Sequence, residues 1–307
     1  LRERLAAEGD FAAVRGRQFD PATAQAVRRF QRRHGLDEDG RVGPATVAAL
    51  DVSAARRARQ IVLNLERWRW VPREAGAAPI IVNSAAFTVT RHAPGGEYQC
   101  PAVVGRPDWP TPIVAGPVVS VVFAPAWHVP RDILVQEVLP AAAGDTAWFA
   151  RNGFHLEDST GAIVQGDGVS WDALADSTRG LALVQAAGPL NPLGGVKIVF
   201  ANPFNVGVHG TSERGLFEQP IRTFSHGCVR VQGALELARA LLADRPEWPA
   251  DSIARAAADT VERVVPVADG TVMVLGYWTA WVADDGAVYF RPDVYGWDAK
   301  LDGALGR

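Results

Sequence analysis

The stretch Val206–Val231, VGVHGTSERGLFEQPIRTFSHGCVRV, places His209, His226 and Cys228 in one short run of a 307-residue chain that holds six histidines and two cysteines. A thiol becomes a strong nucleophile on losing its proton, and a neighbouring imidazole either accepts that proton or steadies the thiolate. Cys228 has two candidate partners, His209 and His226, and spacing alone does not choose between them. Gly227 lets the backbone turn sharply and present N–H groups to an oxyanion forming on a substrate carbonyl. Arg230, two residues on, shares a face with Cys228 in an extended chain and adds positive potential that favours a thiolate. The pattern predicts a cysteine-dependent acyl transferase or hydrolase.

Two other readings stand beside it. His209, His226 and Cys228 are also three borderline-soft ligands, and a catalytic zinc site needs three protein ligands and a water. The His-Gly-Cys spacing is short for that role. A buried, inert cysteine is the third reading, but the surrounding Gly, Ser, His and Arg do not compose a core strand.

His209-Gly210-Thr211, followed by Ser225-His226-Gly227-Cys228-Val229-Arg230-Val231, resembles the active-site signature of the L,D-transpeptidases, bacterial enzymes that remodel peptidoglycan. The resemblance implies that Cys228 is the nucleophile and His209 its base, oriented by the backbone carbonyl of Gly210. It also implies an oxyanion hole of N–H groups around Gly227 and Cys228, with Ser225, His226 and Arg230 shaping the site. The implied reaction is acyl transfer without cofactor or metal. Cys228 attacks the carbonyl of the penultimate residue of a donor tetrapeptide stem, D-alanine leaves, and the thioester passes to an amine of an acceptor stem, giving a 3→3 crosslink. The implied location is the bacterial periplasm or cell envelope. Thr211, Trp127 and Tyr277 are candidate substrate contacts.

Outward from this run, composition sets the frame. Hydrophobic residues make up 48% of the chain, enough for packed cores. The net charge of −3 hides a basic N-terminal part: Leu1 to Glu74 carries 15 Arg against 10 acids, an excess too small and dispersed for nucleic acid. No apolar run approaches the ~18 residues of a membrane span. The only methionine is Met273, so Leu1 is not expected to be a translational start, and any signal peptide would already be lost. Cys100 and Cys228 offer one disulfide in an oxidising compartment, a pairing incompatible with a nucleophilic Cys228.

Residues 1–52 read as a helical unit with an internal repeat: PATAQAV from Pro21 recurs as PATVAAL from Pro44. Asp20 is a natural N-cap with Pro21 at the first helical position, and Ala24, Val27 and Phe30 are the expected buried stripe. FQRRHGLDEDGRVGPAT resembles the peptidoglycan-binding modules of wall enzymes, which implies binding to sacculi; a spacer packed on the catalytic domain is the alternative. Residues 53–307 are the expected catalytic domain. It begins with a helix over Ser53 to Val71, with Ile61, Leu65 and Trp68 on its buried stripe and a solvated Arg-rich flank. Strands follow at Ile80–Asn83, Phe87–Arg91 and Tyr98–Val104, with Cys100 in a core position.

Between about residues 125 and 194 the character changes to mixed helix and strand, with helices near Arg131–Leu139 and Asp145–Arg151 and short segments around Phe154–Leu156 and Trp171. This reads as a capping insertion, and the resemblance adds that one L,D-transpeptidase subgroup carries a large insertion here, opened in this chain by PAWHVP and closed by GPLNPLGGVK. His128 and His155 are expected to be structural. Val196–Ala201 and Asn205–His209 read as strands delivering His209. After Cys228, a helix over Gly233–Ala243 turns Leu235, Ala238, Leu241 and Leu242 inward, and Asp251 caps a helix near Ser252–Ala258. A hairpin of Val272–Val282 with Ala287–Phe290, hinged at Asp284 to Gly286, closes the chain. The expected class is α+β: a mainly β catalytic domain with an inserted cap and a small N-terminal all-α module.

Overall fold

The computed structural model describes residues 1–12, 16–73, 78–93, 96–142, 145–164, 180–268, 270–283 and 285–306. It forms two compact units. One is made of Leu1–Ala115, Phe217–Gly227 and Met273–Arg307, the other of Gly116–Leu216 and Cys228–Val272. The fold is α+β, with helices opening the chain and strands dominating after them. Trp171 and Asp284 lie outside the described residues.

In the first unit, helices α1 (Arg2–Ala7), α2 (Pro21–Arg33) and α3 (Pro44–Leu50) form a small helical region. Asp20 caps α2 as expected: its Oδ1 accepts from the Thr23 N–H at 2.8 Å, with Pro21 next. Leu5, Ala26, Val27 and Phe30 are fully buried together, and each large apolar side chain so buried contributes roughly 1.5–3 kcal/mol. Ala26, not Ala24, completes the stripe, and Leu5 of α1 reaches it from a helix that the sequence pattern did not reveal.

Helix α4 (Ala54–Trp68) begins at Ser53, whose hydroxyl accepts from the Arg56 N–H. Its buried face is not the apolar stripe expected. Leu65 and Trp68 are exposed, whereas Leu63, Asn64 and Arg67 are buried. Polar pairing explains the choice. Asn64 Oδ1 accepts from the Thr279 N–H at 2.8 Å, Asn64 Nδ2 donates to Thr279 Oγ1 at 2.9 Å, and Arg67 pairs with Asp298, which accepts from the Thr279 hydroxyl at 2.7 Å. Asn64 and Arg67 therefore find polar partners that an apolar face would not need. Arg67 is thus a buried ion-pair partner and not part of a solvated flank.

The strands are β1 (Ile80–Asn83), β2 (Thr88–Ala93), β3 (Gly96–Gly105), β4 (Val114–Phe123), β5 (Val196–Phe200), β6 (Val208–His209), β7 (Thr223–Ser225), β8 (Val229–Val231), β9 (Arg263–Pro266) and β10 (Val272–Gly276). In the first unit β1 lies between parallel β10 and antiparallel β2, and β3 pairs antiparallel with β2 and parallel with β7. Cys100 is buried on β3 opposite Val89, a core position as expected. Strand β10 stops at Gly276, and the closing hairpin is Ala280–Val282 with Val288–Phe290. The long first arm expected for that hairpin is therefore two separate strands. In β10, Met273, Val274 and Leu275 are all buried, as befits a strand covered on both faces.

In the second unit β6 is flanked by parallel β8 and antiparallel β5, β5 pairs antiparallel with β4, and β4 pairs antiparallel with β9. Val196, Ile198 and Phe200 alternate inward along β5, the two-residue period of a strand. The helix Ala234–Leu241 buries Leu237 where Leu235 was expected; Leu235 is half-buried. The next helix, Ala250–Ala257, is preceded by Pro249, so Asp251 lies in its first turn and does not cap it. Strand β6 is shorter than expected because Asn205 takes a left-handed backbone conformation, φ 52°, in the turn before it.

The insertion also belongs to the second unit. Trp127–His128, Ala182–Gln185, Phe154–Glu157 and Ile163–Val164 form a four-stranded antiparallel sheet of their own. Helices at Arg131–Ala142 and Thr146–Arg151 pack Leu134, Val138 and Phe149 against Leu156 and Leu183. Buried Asn191 gathers the two ends, its Nδ2 donating to the carbonyls of Pro125, Gln185 and Ala186. His155 pairs with Glu157 at 2.9 Å, a structural contact.

Candidate functional site

His209 ends β6, held from both sides by backbone pairing. In register it faces Lys197 of β5 and Arg230 of β8, and Val208 faces Val229. The Gly210 N–H donates to the Val196 carbonyl at 2.8 Å, and the Val229 N–H donates to the Gly207 carbonyl at 3.0 Å. Cys228 immediately precedes β8, and its Sγ accepts from the Gly207 N–H at 3.5 Å. Parallel strands turn registered residues to the same face, and side chains two apart share a face. Cys228 is two residues before Arg230, the register partner of His209, so the alternation of β8 carried back one residue puts Cys228 on the face of His209.

The protonation state of His209 follows from its one fixed contact. Nδ1 lies 2.7 Å from the Gly210 carbonyl oxygen, which only accepts, so Nδ1 carries the hydrogen and Nε2 keeps its lone pair. The ring is buried, at 4% exposure. Burial pushes its pKa down to about 3, the Arg230 and Lys197 charges press the same way, and the Gly210 carbonyl opposes them. His209 is a neutral imidazole at neutral pH with Nε2 ready to accept a proton.

Arg230 lies on the expected face but pairs with Glu213, which offsets its charge. Cys228 itself is half-buried, and neither cysteine is in a disulfide. Ser225, His226 and Gly227 belong to the first unit. Gly227 adopts φ +99°, a conformation that glycine takes without strain, and its N–H donates to Ser225 Oγ at 3.2 Å. The Trp109 ring lies 4.6 Å from the His226 ring.

The three candidate substrate contacts are placed differently. Thr211 is half-buried next to Gly210, and its hydroxyl accepts from the Glu213 N–H at 3.1 Å. Trp127 packs on the core of the insertion beside Phe154. Tyr277 is 1% exposed, and its hydroxyl donates to Asp293 at 2.7 Å while accepting from the Tyr295 N–H at 3.0 Å. Its ring and hydroxyl are both taken up internally. Among the described residues no three side chains of His, Cys, Asp and Glu are placed to share a metal ion. Two contributors escaped the sequence reading. Lys197 faces His209 only through strand register, and Glu213 meets Arg230 from 17 residues away; the acid within TSERG was the available signal for the second.

A half-buried thiol just before β8 and a buried neutral imidazole at the end of neighbouring β6 thus lie in one mainly β unit. The L,D-transpeptidase catalytic domain family (YkuD) matches residues 78–272, and the family described as "putative peptidoglycan binding domain" matches residues 1–50. The chain belongs to the L,D-transpeptidase family. It is 26% identical over 245 residues to the Haemophilus influenzae protein named "Putative L,D-transpeptidase", covering 80% of this chain and 49% of that protein. The chain thus spans about half the length of this curated relative. Among solved structures, an L,D-transpeptidase from Stackebrandtia nassauensis is 14% identical over 89% of this chain and 87% of its own, with a TM-score of 0.31. L,D-transpeptidase 3 from Mycobacterium tuberculosis, in complex with a faropenem-derived adduct, is 13% identical over 65% of this chain and 60% of its own, with a TM-score of 0.29.

Proposed function

We propose that the protein is a peptidoglycan L,D-transpeptidase that works through a thioester on Cys228, crosslinking stem peptides in the bacterial cell envelope. The observation that carries the reading is the Nδ1–H tautomer of His209, which leaves Nε2 basic on the face it shares with Cys228. In the first step Sγ of Cys228 bonds to the penultimate carbonyl of a donor tetrapeptide while His209 Nε2 takes the thiol proton. A buried imidazolium is costly, so the transfer keeps pace with the negative charge growing beside it. Backbone N–H groups around Gly227 and Cys228 receive the oxyanion. Collapse breaks the peptide bond, and the proton on His209 goes to the amine of departing D-alanine. In the second step an acceptor amine attacks the thioester, gives a proton to His209 and frees the thiol, leaving a 3→3 crosslink. Arg230, Ser225, His226 and Thr211 shape the site, and residues 1–52 attach the enzyme to sacculi. Residues 125–194 act as a cap.

Incubation with a defined tetrapeptide tests this. Stoichiometric D-alanine release with crosslinked dimer is expected, and no turnover with Cys228→Ser. A zinc-dependent peptidase would lose activity to a chelator and contain stoichiometric metal. A non-catalytic wall-binding protein would sediment with sacculi and release nothing.

A further inference from the structure

The turn Val104 to Pro112, VGRPDWPTP, grips the residues that lead into Cys228 one after another. The Arg106 N–H donates to the Ser225 carbonyl at 2.9 Å. Trp109 lies against His226, with the Arg106 guanidinium 4.6 Å over the Trp109 ring. Thr111, 1% exposed, reaches Gly227: its Oγ1 lies 2.9 Å from the Gly227 carbonyl oxygen. The same Oγ1 accepts from the Gly105 N–H at 2.9 Å, so its single hydroxyl hydrogen is committed to Gly227.

Thr111 is itself fixed. The Tyr295 hydroxyl donates to the Gly105 carbonyl at 2.5 Å and accepts from the Thr111 N–H at 3.4 Å. Gly105 is required by the closeness of the turn, since a Cβ there would stand 2.2 Å from the Trp109 carbonyl oxygen and 2.6 Å from the Thr111 nitrogen.

The consequence lies in one peptide plane. Among the described residues every peptide bond is trans, so the Gly227 carbonyl and the Cys228 N–H point oppositely from a rigid plane that ends at the Cys228 Cα. Glycine has little preference of its own about how that plane turns. We propose that Thr111 is a positioning residue for acyl transfer: by holding the Gly227 carbonyl, its hydroxyl aims the Cys228 N–H at the oxyanion formed from the substrate carbonyl. This rests on Cys228 being the nucleophile.

The test compares two reactions of the same thiol. Acylation by a β-lactam forms an Sγ–C bond, breaks the lactam C–N bond and passes through an oxyanion. Alkylation by iodoacetamide forms an Sγ–C bond with loss of iodide and makes no oxyanion. Thr111→Val and Thr111→Ala should slow acylation at least about tenfold, short of the ~10²–10³ that loss of a whole oxyanion donor costs, while alkylation stays within about twofold. Thr111→Ser, which keeps the hydroxyl, should restore acylation to within about threefold of wild type. Wild-type acylation in the Val and Ala variants, or an equal fall of both reactions, overturns the proposal. If neither variant folds, Thr111→Ser decides alone, a tenfold loss of acylation counting against it and retention counting for it. Label persisting in Cys228→Ser would instead sink the thioester reading itself.

Discussion

The carbonyl of Gly210 lies 2.7 Å from Nδ1 of the residue before it, His209, so the chain fixes the tautomer of its own candidate base. With burial holding the pKa down to about 3, the ring should stay neutral and Nδ1-protonated through the physiological range. Nitrogen NMR of histidine-labelled protein should show one protonated and one bare ring nitrogen for His209 without change from pH 8 to pH 5. Titration of that ring near its ordinary pKa would contradict the assignment.

A second neutral histidine lies far along the chain. His34 is 3% exposed, donates from Nδ1 to the Phe30 carbonyl at 2.8 Å and stacks on the Phe30 ring; burial pushes its pKa down to about 3, with the charges of Arg57, Arg33 and Arg291 adding to the effect. Between the unfolded value near 6.5 and about 3 the unfolded chain binds more protons, so stability falls as pH falls through that window. Each such histidine should cost about 2 kcal/mol of stability between pH 7 and pH 5. His34→Phe should recover about that much of the pH-dependent loss in urea unfolding. An unchanged difference between the two pH values would mean that His34 is protonated in the folded state.

The polar face of helix α4 makes a sharper claim about stability. Arg67 and Asp298 pair away from water, with side chains 2% and 15% exposed, and Arg67→Ala strands the carboxylate. The expected loss is roughly 3–5 kcal/mol by chemical denaturation, and removing both partners should cost less than the sum of the single changes. A loss below about 1 kcal/mol would show that the pair is solvated.

The insertion bears on the fate of the thioester. Replacing residues 125–194 with a short Gly/Ser linker in a variant that remains folded should leave Cys228 reactive to small thiol reagents and shift product from crosslinked dimer towards hydrolysed tripeptide, because a cap excludes water. Chromatography of the two products decides it, and an unchanged ratio would remove the cap from the mechanism.

The sequence was most legible where local chemistry acts alone. Asp20 with Pro21 and the strand beginning at Val196 were readable because caps and strand periods need only near neighbours. Reading failed where distant partners decide. Asn64 and Arg67 bury their faces because Thr279 and Asp298 await them, and no pattern within α4 announces those residues. Asp251 lost its capping role to the fixed φ of Pro249, which starts the helix earlier. In the site, His209 and Cys228 stood out as rare residues near glycines, whereas Thr111 did not, because the role proposed for it lies in one hydroxyl–carbonyl contact with Gly227, 116 residues away in the chain.

The central claim is that Cys228 carries the acyl group. Intact-mass measurement after incubation with a carbapenem, followed by peptide mapping, tests it most directly. One equivalent of adduct located on Cys228, retained in Cys100→Ser and absent from Cys228→Ser, is the expected result. An adduct that persists in Cys228→Ser, or that maps to Cys100, would contradict the account.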